Sequence, residues 1–355
     1  MPIRNKCLSI TQKFMNIIKN ENIIQHLILI LAFVLITCIK IYLTTNFKTP
    51  FVFGDEYLYT SYAKEIISNP YSILSPGNPD YYGPGYSIFL LPAFVFYPDM
   101  NLVYLSILLL NILVSTSILI IAYAILIRYC KKRIAVIGSL LIAVLPVSTL
   151  YCFIIFCENL YIPLYTLSGL LVLKCVESNN RILHILTGST IFILTIIRPY
   201  GLLAFLAFLV VIVYLIYYNR KQIKEFLPKK LILIFTPTLT IGIWYALKTL
   251  FSTSLFRYNS NAYMQTIVHS LSDISNLTIA FELVLHEIDY FILTGYVVIF
   301  ALSVYIFLRW KTLDPSLQAY ALYSYVYLIF SIILTVLHML TVVYDPSNPQ
   351  YLYYM

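Results

Sequence analysis

Residues Ile23 to Thr44 read IIQHLILILAFVLITCIKIYLT, and this run decides the fold class. As a helix rising 1.5 Å per residue, a run of this kind covers the ~30 Å hydrocarbon core of a bilayer. Working outward from it, comparable runs are expected at 102–127, 134–153, 160–176, 182–197, 200–218, 231–251, 291–308 and 319–343. The composition agrees. The chain of 355 residues is 61% hydrophobic and 11% charged, with a mean hydropathy of +0.85. A soluble core cannot take up that much apolar surface, so lipid is the solvent for most of the chain. Continuous apolar runs also exclude an outer-membrane barrel, which reads as short alternating segments. The expectation is an all-α polytopic membrane protein with about nine transmembrane helices.

Charge sets the expected orientation. Arg4 to Lys19, the 128–133 cluster, Lys174, Arg181, the 220–230 cluster and Arg309 with Lys311 fall on one side of the nine spans. They make up 17 of the 23 basic residues. The opposite side holds 11 of the 15 acids. The basic bias predicts a cytoplasmic N-terminus and an outward-facing acidic side. The same clustering argues against nucleic acid as a partner, despite the net charge of +8. The basic N-terminal stretch runs straight into a full-length span without a small-residue cleavage site, so it reads as a retained signal anchor. The six cysteines show no metal-ligand spacing and read as small apolar residues.

This division predicts a cytoplasmic segment 1–22, a transmembrane domain 23–343 and an outer segment 344–355. Two long outer loops are expected, at 45–101 and 252–290. In the first, Gly54 to Ser68 has helical composition, with Leu58, Tyr62 and Ile66 on one side, and reads as an interfacial helix. Tyr86 to Tyr97 is apolar but too short to span, and reads as re-entrant or interfacial.

The first outer loop also carries Phe51-Val52-Phe53-Gly54-Asp55-Glu56-Tyr57. Two adjacent acids at a membrane border, in a chain so poor in charge, need a reason. As a helix start, Asp55 would cap and Glu56 would complement the dipole, at about 1 kcal/mol for the cap. As chemistry, Asp55 would deprotonate an acceptor nucleophile while Glu56 positions it or holds a cation. The readings are compatible, because a capping geometry holds a base still. Further candidates follow. Tyr82-Gly83-Pro84-Gly85-Tyr86 is a turn whose Gly and Pro let backbone approach a lipid head group. Glu158 sits between two spans, exposed in the turn or facing a cavity. Arg198-Pro199 ends a span with a guanidinium that either snorkels or meets a phosphate. Lys248 and Arg257 are lesser candidates for that phosphate. His269 and His286 are loop histidines, and Asn276-Leu277-Thr278 is a glycosylation sequon.

In order, Gly54-Asp55-Glu56-Tyr57 to Glu65, Tyr82 to Pro92, Glu158-Asn159-Leu160-Tyr161-Ile162-Pro163, and Gly188 to Arg198-Pro199-Tyr200-Gly201 resemble motifs of the GT-C membrane glycosyltransferases. The nearest group is that of the dolichyl-phosphate-mannose protein mannosyltransferases and lipid A aminoarabinose transferases (glycosyltransferase family 39-like). The resemblance covers roughly residues 23–215. It implies sugar transfer, usually with inversion, from a polyprenyl- or dolichyl-phosphate donor to a protein, lipid or glycan acceptor at the outer membrane face. It implies Asp55 as general base with Glu56 beside it. It places Glu158, Arg198, Tyr82 and Tyr86 on the substrate side, with Arg198 near the lipid phosphate. A divalent cation stays open, and no nucleotide cofactor is expected. Family members usually carry more spans, and often an Arg-Tyr pair in the last outer segment. Here the nearest match is Gln350-Tyr351, and Met355 is expected to be a truncated end. Two other readings stand beside this one: a polytopic transporter or flippase for an amphipathic substrate, and a non-catalytic paralogue.

Overall fold

A computed structural model describes residues 21–47, 49–50, 54–74, 83–96, 99–251, 281, 284–285 and 304–343. Among the described residues every regular element is a helix. Six of the helices are long and apolar enough to cross a membrane: Ile24–Thr44, Met100–Leu126, Glu158–Glu177, Gly201–Tyr218, Lys230–Leu250 and Pro315–Leu337. Over the described residues the protein is therefore all-α, with the helices of a multi-pass membrane protein. It forms two compact units, residues 1–68 with 86–170, and residues 69–85 with 171–355.

In the first unit, α1 (Glu21–Thr44) packs along α4 (Met100–Thr116) and against α5 (Ile118–Leu126) and α6 (Lys132–Ala143). Leu29, Ile118, Leu119 and Ala143 form one core between them. The opposite face of α1 leaves Ile30, Leu31, Val34 and Leu35 exposed, as a lipid-facing helix requires. Helix α4 starts where the Asp99 carboxylate accepts from the Asn101 backbone N–H at 3.1 Å. Between α4 and α5, the Ser117 N–H is shared by the Leu113 and Val114 carbonyls, so the span continues with a local adjustment.

Helix α2 (Gly54–Ser68) has the bounds expected from its composition. Its buried face is Glu56, Tyr59, Tyr62, Ala63 and Ile66, a stripe at helical spacing. Tyr62 and Ile66 lie on it as expected, whereas Leu58 is only half-buried and Tyr59 takes its place. Helix α3 (Pro84–Phe96) matches the expected short apolar segment, with Pro92 inside it.

The run 134–153 departs from a single span. Helix α6 has 12 residues, a rise of about 18 Å, which is too short to cross. Leu145 precedes Pro146, whose ring disfavours helical backbone in the residue before it. The chain restarts as α7 (Pro146–Leu150), passes through a 3₁₀ turn at Tyr151–Phe153 and runs irregularly to Glu158, where α8 (Glu158–Glu177) begins.

The second unit contains the end of α8, then α9 (Arg181–Ile197), α10 (Gly201–Tyr218), α11 (Ile223–Phe251) and α12 (Pro315–Val343). Helix α9 packs on α11 and α10, and α10 packs on α12. Gly188 lets α9 and α11 approach, since a Cβ there would lie 2.6 Å from the Thr236 Cβ. Helix α9 is only 17 residues long, shorter than the six full-length helices. The expected span 291–308 falls mainly outside the described residues, which there include only the helical stretch 304–308.

Candidate functional site

The irregular segment between α7 and α8 poses a physical problem. Buried backbone that leaves the helix frees N–H and C=O groups, each costing about 1–3 kcal/mol if left unpaired. In this protein, side chains from four helices of the first unit supply partners.

Asn159, in the first turn of α8, is the centre. Its Nδ2 lies 2.8 Å from the Tyr151 carbonyl, 2.9 Å from that of Ile154 and 3.1 Å from that of Phe156. From α4, the Asn111 Nδ2 donates to the Ile154 carbonyl at 3.3 Å, and its Oδ1 accepts from the Tyr86 hydroxyl at 2.9 Å. From α1, the Lys40 ammonium donates to the Ser148 carbonyl at 2.9 Å and to the Ser115 hydroxyl at 3.2 Å. From α2, Glu56 accepts the Ile155 backbone N–H on Oε1 at 3.0 Å. Lys40, Glu56, Asn111 and Asn159 are all buried.

Glu56 thus has a tertiary role that neither capping nor a dipole describes. It sits in the first turn of α2 but grips the segment ahead of Glu158, 99 residues away in sequence. The same face of α2 is held at a second point, where the Ser87 hydroxyl donates to the Tyr59 carbonyl at 3.0 Å. The Tyr59 and Tyr86 rings meet edge to face at 4.9 Å. Further along α2, burial and the neighbouring Glu65 carboxylate push the Tyr62 phenol up to about 12, so it stays neutral at physiological pH.

Asp55 is half-buried beside Glu56 in the first turn of α2. Glu158 is half-buried at the start of α8, and its Oε2 lies 3.5 Å from the Cys157 Sγ, a weak donor. A narrow cleft of about 10 Å³, room for about one water molecule, is lined by Ser115, Ser148, Tyr151, Glu158 and Asn159 among others. The structure therefore joins the turn carrying Asp55 and Glu56, the start of α8 with Glu158, and Tyr86 through one hydrogen-bonded segment. Tyr86 is fully buried and tied to Asn111, which makes it a support for the network.

Arg198 belongs to the second unit. It ends α9 in extended backbone, as a residue before Pro199 should, and its guanidinium lies over the Tyr200 ring at 5.2 Å. Gly83 and Gly85, also in the second unit, pack against the end of α9. A Cβ on Gly83 would lie 2.0 Å from the Ile196 carbonyl oxygen, and one on Gly85 2.8 Å from the Ile197 nitrogen. The glycines of this motif thus serve a backbone-to-backbone approach next to Arg198. Lys248 is half-buried in the last turn of α11. Tyr82, Arg257, His269, His286 and the Asn276 sequon lie outside the described residues. Among the described residues no three His, Cys, Asp or Glu side chains cluster as metal ligands would.

Sequence reasoning passed over Asn111 and Asn159 as site residues and gave Lys40 no role. The signal was present, since an amide or ammonium inside an apolar run marks either a partner or a function. Compared with protein-family models and with curated proteins, the chain finds no match.

Proposed function

We propose that this chain is a membrane glycosyltransferase of the GT-C kind, moving a sugar from a polyprenyl- or dolichyl-phosphate donor to a hydroxyl-bearing acceptor. The observation that carries the reading is the bond from the Ile155 N–H to Glu56. It ties the Asp55 turn to the segment leading into Glu158, so two partly accessible acids share one braced framework. A general base needs that kind of fixed placement. Glu56, already engaged and buried, serves as the positioning residue, and Asp55 is the catalytic base.

In the proposed step Asp55 takes the proton of the acceptor hydroxyl. The acceptor oxygen forms a bond to the anomeric carbon as the bond from that carbon to the phosphate oxygen breaks. The configuration inverts, and polyprenyl phosphate leaves with the bonding pair. Charge accumulates on the departing phosphate, which a guanidinium stabilises well. The charge pattern supports an extracytoplasmic active side.

The test uses membranes containing the full chain, a labelled polyprenyl-phosphate sugar and detection of released polyprenyl phosphate. Asp55→Asn should lower release by roughly 10²- to 10⁴-fold, the usual contribution of a general base, with insertion and expression unchanged. Near-normal release by this variant would remove Asp55 from the mechanism. Passage of the intact lipid-linked sugar across the bilayer without cleavage would favour a transporter.

A further inference from the structure

The second unit holds a polar cleft that the proposed reaction does not use. Its volume is about 250 Å³, and Val176, Asn179, Leu215, Gln222, Lys230 and Pro315 are among its lining residues. Four apolar spans end or begin around it: Glu158–Glu177, Gly201–Tyr218, Lys230–Leu250 and Pro315–Leu337. Contacts within the unit hold these ends together. The Lys230 ammonium donates to the Cys175 carbonyl and, at 2.8 Å, to that of Ser178. The Tyr214 hydroxyl donates to Gln318, and the Tyr214 and Trp310 rings meet edge to face at 6.2 Å. The cleft is therefore at the depth where helices leave hydrocarbon and lipid head groups begin.

Its chemistry selects for an anion. Lys230 is only 2% exposed yet lines the cleft. An ammonium has three N–H donors. Among the described residues two are accounted for, by Cys175 and Ser178, and the third is left for a ligand. The side-chain amides of Asn179 and Gln222 add further donors on the wall. Val176, Leu215 and Pro315 supply an apolar side. Exposed Arg220, Lys221 and Lys224 stand on the adjoining turn, with Glu225 the acid of the lining. A basic pocket between helix ends at the interface suits a phosphodiester with attached acyl chains.

We propose that this cleft binds the head group of an anionic phospholipid, with Lys230 as the buried phosphate contact. The site stands apart from the glycosyl-transfer reading, and its failure leaves that reading untouched. Free inorganic phosphate shares the recognised chemistry, and the test separates the two sources.

The experiment is native mass spectrometry of the full chain in detergent, titrated with phosphatidylglycerol or with phosphatidylcholine, with and without added inorganic phosphate. A phosphatidylglycerol adduct should form with roughly tenfold preference over phosphatidylcholine, whose choline cation offsets the charge of its phosphate beside Lys230. Lys230→Gln should remove most of that preference. That variant also disturbs the end of α8, so Asn179→Trp provides a second arm. It fills the cleft from an exposed position and leaves the Lys230 bonds in place, and it should lower adduct formation by roughly tenfold as well. Exchange of both Lys221 and Lys224 for Gln should leave the preference in place. Equal binding of both lipids, or full binding by Asn179→Trp, overturns the proposal. Loss of the preference only in the Lys221 and Lys224 exchange also overturns it, because the site would then be a diffuse basic surface. Displacement of the lipid by millimolar inorganic phosphate would make free phosphate the occupant and overturn the lipid assignment.

Discussion

Each of the two units buries a lysine against backbone carbonyls, but to different ends. In the first, Lys40 is one of four buried polar side chains around the broken stretch 146–158, together with Glu56, Asn111 and Asn159. In the second, Lys230 closes the end of a regular helix, and its neighbours pack through small residues such as Gly188. The difference shows where each unit keeps its polar interactions. A helix satisfies its own backbone and needs outside partners only at its ends. A buried, interrupted helix needs them along its length, so the interruption persists only where several side chains agree on one geometry. That agreement also fixes the position of whatever the segment carries, here Glu158 and, through Glu56, the turn with Asp55.

The comparison breaks first at Asp55. The Asp55→Asn loss in release of polyprenyl phosphate is the largest effect expected, and it should occur without loss of stability. Next is Glu56. Glu56→Ala leaves the buried Ile155 N–H without its acceptor and should cost about 1–3 kcal/mol, read by unfolding of the purified protein in detergent. Glu56→Gln keeps an oxygen acceptor, so it should retain most of the stability and most of the activity. If Gln were as damaging to turnover as Ala while stability recovered, Glu56 would be acting on substrate and the positioning role would be wrong. Asn159→Leu removes the donor serving three carbonyls and should cost a similar ~1–3 kcal/mol, with proteolysis appearing between Pro146 and Glu158. In the second unit Lys230→Met should cost less, about 1 kcal/mol. His184 Nε2 still reaches the Ser178 carbonyl at 3.2 Å, and the cleft admits water. Equal losses for Asn159→Leu and Lys230→Met would dissolve the distinction between the units. The smallest effect is Arg198→Lys, which weakens stacking over Tyr200 by about 0.5–1 kcal/mol. A much larger drop in transfer than in stability would show that the guanidinium acts on substrate as well as on the Tyr200 ring.

Much of the fold was legible because helix length and lipid exposure are local properties. The run 23–44 is a helix at 21–44, and 54–68 is a helix within its expected bounds. The caps at Asp99 and Asn180 are local as well, each accepting from a backbone N–H two residues on. The broken run 134–153 was harder to read. Pro146 signalled it, but a hydropathy window averages across one proline. The buried face of α2 carries Tyr59 rather than Leu58, and with it Glu56, whose partner Ile155 is 99 residues away and outside any local periodicity.

The candidate site divides in the same way. Composition alone made Asp55-Glu56 conspicuous, since two acids in so apolar a chain have few solvated places to go. The sequence by itself determined an all-helical membrane chain, its acid pair and its basic clusters, because these follow from the cost of placing charge and bare backbone in hydrocarbon. Only the tertiary structure decided that Glu56 holds Ile155, that Tyr86 supports Asn111, and that Gly83 and Gly85 meet the end of α9. Those are pairings between residues far apart in the chain, and a buried hydrogen-bonding group chooses its partner by position in space.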